Sequence, residues 1–402
     1  MSSKVRIDEL DSVRGLAALS VVFSHIAILI PSFFLERFNN TPLHFFWLGH
    51  ESVILFFILS GFVLSLPFQN NRISPLGYVN YLVRRVFRIL IPAAVSMAIV
   101  LILISTLNPQ GLNGISEWGN SIWTNSLNTV EIVKQLILLQ EIDSMQFNPV
   151  LWSLVHEMRI SIIFPLVLLL MFKFNLIRRI AVVILIPITF FVAYVVGLKV
   201  FNYDITKFSG GYSSYILTPH YLAFFTLGSI LAKYRESIKE IYMRLNLIVK
   251  FTLVVVGLVL YMYNWLILPD NSLLHMFIFN DWSIAIGGSI FIVVSMNSVV
   301  MKRVLLFNPV HYIGKISYSI YLYHLIMMLT MLYVLNGMFS VPVILLMSVP
   351  VTLIVSAIMY HLIEVPSMRL GKILSFSKPK QRSNPIPHGA NVDVMSLSRL
   401  KK

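Results

Sequence analysis

The stretch LDSVRGLAALSVVFSH, residues 10–25, predicts a helix that crosses a membrane and carries Arg14 and His25. Its apolar run continues to about residue 34, which exceeds the ~20 residues that a bilayer core requires. Arg14 and His25 stand eleven positions apart. At about 100° per residue, eleven steps return both side chains to one helix face, ~16 Å apart along the axis. Because an ionisable group is costly at membrane depth, both positions indicate function.

Composition places the whole chain in a membrane. Of its 402 residues, 57% are hydrophobic and only 12% are charged, whereas soluble domains carry about a quarter charged residues. The first apolar run lacks a small-residue cleavage site, so we read it as a span rather than a signal peptide. The sequence contains no cysteine, which excludes disulfides, thiolate catalysis and zinc–thiolate sites.

Apolar runs predict an all-α polytopic membrane protein with about ten transmembrane helices. The predicted spans are residues 10–34, 43–66, 87–107, 149–171, 179–199, 215–233, 250–268, 281–300, 315–335 and 340–362. The polar segment 108–148 is expected to be a loop with an interfacial helix near 130–140. Residues 1–366 are predicted to form the transmembrane domain, and 367–402, rich in Ser, Pro and Lys, a mostly disordered basic tail.

The distribution of basic residues predicts the orientation. With the N-terminus in the cytoplasm, 25 of the 31 Lys and Arg residues fall in cytoplasmic segments and four fall in outside loops. Membrane proteins concentrate basic residues in cytoplasmic loops, so both termini are expected in the cytoplasm. Topology and contact with membrane lipid then account for most of the net charge of +14, without nucleic acid as a partner.

Three further spans carry ionisable groups at membrane depth. Glu51 and Glu157 are expected ~12 Å below the outer surface, close to the ~13 Å expected for His25, and His324 lies near the middle of span nine. Matching depths on separate helices indicate a buried polar chamber. As alternatives, either histidine can be structural, bonded only to a neighbouring helix, and Glu51 can be a protonated structural carboxyl.

A second basic group follows span two in YLVRRVFRILIP, residues 81–92. Arg85 and Arg88 share a helix face through their spacing of three. Arginine forks bind phosphate oxygens bidentately, so this pair and Arg14 suit a polyanionic donor such as coenzyme A. The alternative for this stretch is an anchor for anionic lipid headgroups.

Four tryptophans near the predicted outer surface are typical of an interfacial belt: Trp47, Trp118, Trp123 and Trp152. Trp152 also lies about one turn from Glu157 and can serve as a platform on which a sugar stacks. In span nine, Ser317, Tyr321 and His324 follow the helical spacing of one shared wall.

Six segments resemble, in family order, the acyltransferase-3 family of integral membrane acyltransferases. They are residues 10–25, FFILSGFVLS (56–65), the RRVFRILIP stretch, LWSLVHEMRISIIFP (151–165), GKISYSIYLYH (314–324) and EVP (364–366). The resemblance implies a ten-span fold that moves an acyl group, often acetyl, from cytoplasmic acyl-CoA to a hydroxyl of an extracytoplasmic acceptor. Such acceptors include O-antigen, exopolysaccharide and lipid-linked sugars, and the protein is then expected in the inner membrane of a bacterium.

The resemblance also implies roles for individual residues. His25 resembles the family's presumed catalytic histidine, and Arg14 its paired arginine. Arg85 and Arg88 match the arginine pair expected at the acyl-CoA site. Glu157 matches the acid that follows Trp-Ser-Leu.

The mechanism this suggests is acyl transfer with His25 as general base, oriented by Glu157 as an acid orients the histidine of a triad. An acceptor pocket is expected to contain Glu51, Trp152, Tyr321 and His324. Direct transfer and a covalent acyl-histidine both fit the sequence. No metal and no permanently bound cofactor are expected, because acyl-CoA serves as a donor substrate.

The chain departs from the family pattern at Arg159 and Ile160, where many members have Gln and an aromatic residue. It also lacks the fused extracytoplasmic esterase-like domain of some members, so such a helper is expected to be a separate partner protein. Other functions stay open at this point: a transporter or exporter of lipid-linked sugar without acyl chemistry, a same-family acyltransferase for a small molecule such as a macrolide, and a structural membrane protein.

Overall fold

The computed structural model describes residues 7–31, 41–68, 74–123, 128–140, 142–201, 213–266 and 277–375. Within these ranges the regular secondary structure is helical and no strand occurs, so the predicted all-α polytopic class is confirmed. In chain order the helices are α1 (Asp8–Leu29), α2 (Gly49–Ser65), α3 (Pro75–Leu107), α4 (Glu117–Asn120), α5 (Thr129–Ile137), α6 (Leu151–Phe172), α7 (Leu176–Phe201), α8 (Ser213–Lys233), α9 (Arg235–Arg244), α10 (Leu247–Tyr261), α11 (Tyr263–Leu266), α12 (Phe277–Asn297), α13 (Val299–Leu305), α14 (Asn308–Lys315), α15 (Ser317–Leu335), α16 (Val341–Met359) and α17 (Val365–Ile373).

Eight helical segments among the described residues are long and apolar enough to cross a bilayer. Helices α8 and α10 occupy the positions of the predicted sixth and seventh spans. Helix α10 has 15 residues, about 22 Å of helix, which is shorter than a hydrocarbon core of ~30 Å. The predicted count of about ten therefore corresponds to eight full-length spans and two further apolar helices.

Helix α1 serves as a reference for the two sides of the bundle. We call the side where α1 begins proximal and the side where it ends distal. Helix α2 begins on the distal side, because a Cβ atom added at Gly49 would overlap Ser24 near the end of α1. Helix α15 runs parallel to α1, since Gly314 packs on Gly15 and His324 contacts His25.

The starts of the second and third predicted spans differ from the structure. Helix α3 begins at Pro75 rather than at residue 87, because Ser74 caps it by accepting a hydrogen bond from the Gly77 amide and proline suits the first turn. Helix α2 begins at Gly49 after a short 3₁₀ helix, Pro42–Trp47. The predicted depth of Glu51 was therefore wrong, because this residue lies in the first turn of α2.

Glycines permit close approach of several helix pairs. Gly61 and Gly228 lie where α2 and α8 cross, and a Cβ atom at either would overlap the partner's backbone. Gly287 packs in the same way on the backbone of α10. Small residues of this kind let membrane helices approach closely, and dispersion forces then stabilise the pair.

The loop after α3 folds back onto the bundle. The Ser116 amide donates a hydrogen bond to the Leu29 carbonyl at 2.9 Å, which fixes α4 over the distal end of α1. Helix α5 occupies the position of the predicted interfacial helix. Between α3, the end of α5 and α6 lies an apolar cleft of about 310 Å³, with Arg85 and Ser161 as its polar lining residues.

Helical structure continues beyond residue 367, where the sequence predicted the start of the tail. Residues 365–373 form α17, which packs on α3, and the Arg84 side chain donates hydrogen bonds to Ser375 at 3.1 and 2.9 Å. The first residues after position 366 are therefore ordered against the bundle. Residues 376–402, the rest of the predicted tail, lie outside the described ranges.

Candidate active site

His25 and His324 lie in contact where α1 and α15 run side by side. Nε2 of His324 is 3.2 Å from Nδ1 of His25, and the ring centroids are 4.9 Å apart. His324 is fully buried, at 0% exposure, whereas His25 is half-buried. The structure thus pairs two imidazoles that the sequence had placed on separate spans without linking them.

Each imidazole also faces the carbonyl one turn earlier in its own helix. Nδ1 of His25 is 3.0 Å from the oxygen of Val21, and Nδ1 of His324 is 3.0 Å from the oxygen of Ile320. A carbonyl only accepts hydrogen bonds, so these partners assign the proton of each neutral ring to Nδ1. His25 then keeps an unprotonated Nε2, the atom that a general base requires.

The ring of Trp118 lies beside His25. Their centroids are 5.6 Å apart with an interplanar angle of 42°. Helix α4, held over α1 by the bond from Ser116 to Leu29, places this indole at the distal end of the site. Sequence reasoning had assigned Trp118 only to an interfacial belt, because it lies 93 residues after His25 and outside the quoted segments, so no local pattern indicated the contact.

Glu157 contacts Arg85 rather than His25. Its Oε1 accepts a hydrogen bond from Nη2 of Arg85 at 2.6 Å, and Arg85 also donates to Oγ of Ser161 at 3.1 and 3.0 Å. Glu157 and Ser161 are one turn apart on α6, so one guanidinium bridges both. The hydrogen-bond partners that the structure gives His25 are Val21 and His324. The expectation that Glu157 orients His25 was therefore wrong, because Glu157 forms its hydrogen bond with Arg85.

The three predicted donor-site arginines converge around this carboxylate. Arg14, Arg85 and Arg88 all act electrostatically on Glu157, and Arg14 and Arg88 also act on Glu364. Helices α1 and α3 supply the three guanidinium groups, α6 supplies Glu157, and the π-helical turn Tyr360–Glu364 supplies Glu364. Their approach agrees with a shared anion site, and the ligand itself stays a prediction.

Asp11 and Glu364 are the other acids near these arginines. Asp11 lies 3.6 Å from Arg14, one turn away on α1. Glu364, in the π-helical turn Tyr360–Glu364, is buried and accepts a hydrogen bond from Ser319 at 2.7 Å. Glu364 belongs to the quoted EVP segment, which was the signal that could have assigned it to the site.

The structure does not bring the four residues expected in an acceptor pocket together, because Glu51 and Trp152 have partners different from those of Tyr321 and His324. The Tyr321 ring lies 6.2 Å from that of His324. Glu51 instead accepts a hydrogen bond at 2.9 Å from the indole of Trp265. Trp152 packs against aromatic rings of α6 and α8. Tyr321 and His324 therefore accompany His25, while the structure gives Glu51 and Trp152 other partners.

A separate polar cluster joins α2, α8 and α12. Asp281, at 1% exposure, accepts hydrogen bonds from Nε2 of His50 at 2.6 Å and from Nε2 of His220 at 2.8 Å. Sequence reasoning missed it, although two histidines and an aspartate inside apolar segments were a usable signal. Across the described part of the chain, no group of three or more His, Cys, Asp or Glu side chains could hold a metal ion.

Two further polar residues of α6 have structural partners on α8. His156 forms a hydrogen bond with Thr218 at 2.9 Å, so it contacts the neighbouring helix α8. Arg159 donates to the carbonyl of Leu139 at 2.8 Å and to Ser214 and Thr218. The charge that departs from the family pattern is thus directed away from Glu157, toward α8 and the chain after α5.

Trp123 was wrongly predicted to be an interfacial residue. It is 2% exposed and donates a hydrogen bond from Nε1 to the carbonyl of Phe147 at 2.6 Å. Its backbone φ of 65° is in the left-handed region, which a non-glycine residue adopts only when surrounding contacts hold it. This tryptophan therefore fixes the fold of the 108–148 segment.

The fold and the site together define a polytopic helical membrane protein with buried histidines and a buried arginine cluster. The family model described as an acyltransferase domain matches residues 7–361, which include every residue of this site except Glu364. The chain therefore belongs to the acyltransferase-3 family and is a membrane acyltransferase. No curated protein and no solved structure shows significant similarity to it.

Proposed function

We propose that this acyltransferase moves an acyl group, in the first instance acetyl, from cytoplasmic acyl-CoA to a hydroxyl of an extracytoplasmic glycan or lipid-linked sugar. In this proposal the proximal side faces the cytoplasm, as the distribution of basic residues predicts, and the membrane is the bacterial inner membrane. The family supports the reaction class. The donor, the acceptor and the orientation are the parts that the proposal adds.

A single observation carries the proposal: α1 joins the arginine cluster to a histidine with a free ring nitrogen. The helix is continuous from Asp8 to Leu29, so Arg14 and His25 lie on one face, ~16 Å apart along the axis. Arg14 belongs to the cluster around Glu157, and Nε2 of His25 is unprotonated by the assignment above. One helix therefore connects an anion site to a base across much of the bilayer.

The arginines are the proposed site of the donor phosphates. Guanidinium groups bind phosphate oxygens through paired charge-assisted hydrogen bonds. Arg85 is held by Glu157 and Ser161, so it is preorganised, and Arg14 and Arg88 act electrostatically on the same carboxylate. With the nucleotide held there, the pantetheine arm points along α1 and carries the thioester toward His25.

The chemical step is acyl transfer between a sulfur and an oxygen. Nε2 of His25 takes the proton of the acceptor hydroxyl while that oxygen attacks the thioester carbonyl. The new C–O bond forms, the C–S bond breaks, and the leaving thiolate of coenzyme A receives the proton from His25. A covalent acyl-histidine route has the same overall balance, so both routes stay within the proposal.

The acceptor approaches His25 from the distal side. The Trp118 indole, 5.6 Å from the His25 ring, offers an aromatic surface of the kind on which sugar rings pack. This role replaces the one expected for Trp152, whose ring packs on its neighbours. A separate extracytoplasmic partner protein can complete the acceptor site.

The test combines glycan analysis with a transfer assay. Cells with and without the gene are compared by mass spectrometry of their surface glycans, and inside-out membrane vesicles receive radiolabelled acetyl-CoA on their exposed cytoplasmic face. The proposal expects gene-dependent acetyl groups on the glycan and radiolabel inside the vesicles. Gene-dependent export of unmodified lipid-linked sugar, with no label transferred, would establish the transporter instead.

A further inference from the structure

His324 is buried among the spans with both ring nitrogens engaged. Its Nδ1 faces the carbonyl of Ile320 at 3.0 Å, and its Nε2 faces Nδ1 of His25 at 3.2 Å. At 0% exposure it has no surface left for an acceptor molecule. Its place in the expected acceptor pocket therefore does not explain why a histidine occupies this position.

The hydrogen bonds of the two histidines determine which ring donates and which ring accepts. Because the proton of His324 lies on Nδ1 toward Ile320, its Nε2 can only accept. The proton of His25 lies on Nδ1 and is shared between the carbonyl of Val21 at 3.0 Å and Nε2 of His324. In this pair His25 is therefore the hydrogen-bond donor and His324 the acceptor, and Nε2 of His25 remains available as a base.

We propose that His324 is the positioning residue of His25, in the place that a carboxylate takes in a catalytic triad. It holds the His25 ring in one tautomer, and it accepts more strongly from Nδ1 when His25 gains the acceptor's proton and becomes positively charged. This inference rests on the proposed function of His25 as base. It also removes the need for Glu157 in that role.

The packing around the pair supports this assignment. Gly15 and Gly314 each lie ten residues before one histidine of the pair, Gly15 within α1 and Gly314 near the end of α14, just before α15 begins, and a Cβ atom on Gly15 would stand 2.6 Å from the backbone nitrogen of Gly314. A single residue, Ile316, separates α14 from α15, so the glycine contact also sets the register of α15 against α1. The two rings are therefore brought together by the helix packing itself and need no loop to position them.

The groups that face the pair do not offer a competing acid. The Trp118 ring lies 5.6 Å from His25, and the Tyr321 ring lies 6.2 Å from His324. Tyr321 directs its hydroxyl to Ser153 at 2.6 Å. Among the described contacts of either histidine, no carboxylate hydrogen bond occurs, so the second imidazole is the acceptor for the Nδ1 proton beside the Val21 carbonyl.

Three substitutions at one position separate the hydrogen bond from burial. In His324→Gln, the amide oxygen takes the place of Nε2 and can still accept from His25. In His324→Asn, the shorter amide takes the place of Nδ1 and can reach only the Ile320 carbonyl. His324→Leu fills the space and accepts nothing.

Each variant is assayed as the full chain in inside-out vesicles with radiolabelled acetyl-CoA, normalised to folded protein by size-exclusion chromatography in detergent. We expect kcat to fall about 10- to 100-fold in the Asn and Leu variants, part of the contribution of a proton-transfer group. The Gln variant should recover most of this loss, and KM for acetyl-CoA should stay unchanged in all three. Wild-type kcat in Asn and Leu, or an equal loss in folded Gln, would overturn the proposal.

A parallel His25→Gln variant distinguishes this inference from the function on which it rests. If folded His25→Gln still transfers acetyl at a normal rate, the role of His25 as base fails, and the positioning role fails with it. If His25→Gln is inactive while His324→Leu is normal, only the positioning role is wrong. An inactive His25→Gln with a Gln-rescued loss at position 324 supports both.

Discussion

The backbone of Gly15 packs directly on the backbone of Gly314, between residues that are 299 positions apart in the sequence. A Cβ atom on Gly15 would stand 2.6–2.8 Å from the nitrogen and Cα of Gly314 and the carbonyl carbon of Ile313. All three are backbone atoms, which cannot swing aside as a side chain does. This contact sets the separation of α1 from α14 and α15, and hence the contact between His25 and His324.

Gly15→Ala should therefore force α1 and α14 apart. Overpacking of a tight contact costs about 1–3 kcal/mol, so we expect a lower melting temperature in detergent together with slower acyl transfer. Gly111→Ala is the matched control, because the nearest atom to its Cβ would be 3.8 Å away, an ordinary contact. Equal melting temperatures for the two variants would show that the helices can separate without cost.

His25→Gln should abolish acyl transfer without unfolding the protein. A glutamine keeps a polar group in the half-buried position but cannot take a proton at neutral pH, and loss of a proton-transfer group costs at least ~100-fold in rate. Binding of acetyl-CoA, measured by isothermal titration in detergent, should survive because the arginines lie ~16 Å away along α1. Lost donor binding in a folded variant would place His25 in the donor site instead.

Arg88→Ala and Arg14→Ala should each raise KM for acetyl-CoA. A hydrogen bond to a charged group is worth about 1.5–3 kcal/mol, which corresponds to a change of about 10- to 100-fold. Arg84→Ala is the matched control: this exposed neighbour binds Ser375 and stands outside the cluster around Glu157. If both Arg88→Ala and Arg14→Ala keep the wild-type KM, as the control does, the cluster anchors lipid headgroups rather than the donor.

Asp281→Asn should destabilise the contact among α2, α8 and α12. An amide offers one acceptor atom where the carboxylate accepts from both His50 and His220. A buried histidine left without its acceptor costs about 1–3 kcal/mol, so the melting temperature should fall. Glu117→Gln changes an exposed acid on the same distal side and should leave it unchanged. A stable Asp281→Asn variant would mean that the polar cluster around Asp281 does not support the fold.

His44 should make the protein less stable in acid. This residue lies in the 3₁₀ helix before α2, and its ring stacks on Trp265 with centroids 4.0 Å apart. Burial lowers the pKa of His44 from 6.5 to about 4. Between these values the unfolded chain binds the proton more readily than the folded chain, so this contribution is present above pH 6.5 and declines as pH falls toward 4.

His44→Phe keeps an aromatic ring for the stack but cannot be protonated. The drop in melting temperature between pH 7.5 and pH 5 should therefore be smaller in this variant than in the wild type. An identical drop in both proteins would assign the acid sensitivity to other groups.

The sequence by itself determined the features that depend on local order along the chain. Apolar runs fixed an all-α membrane protein, because each span must satisfy its own backbone hydrogen bonds in lipid. Helical periodicity alone put Arg14 and His25 on one face of α1, and the order of six short segments indicated the family. Hydropathy alone misplaced some helix ends, because capping residues also determine where a helix begins. Ser74 and Pro75 start α3 well before the predicted residue 87.

Only the tertiary structure decided which side chains meet. Depth along separate helices suggested that Glu157 faces His25, but depth says nothing about the direction in which a side chain points around its axis. The packing of α3 on α6 brings Glu157 into contact with Arg85. The glycine contact of α1 with α14 brings His25 into contact with His324. Trp118 reaches His25 only because a loop bond ties Ser116 to Leu29. Rotation and register between helices arise from contacts across hundreds of residues, which no local pattern encodes.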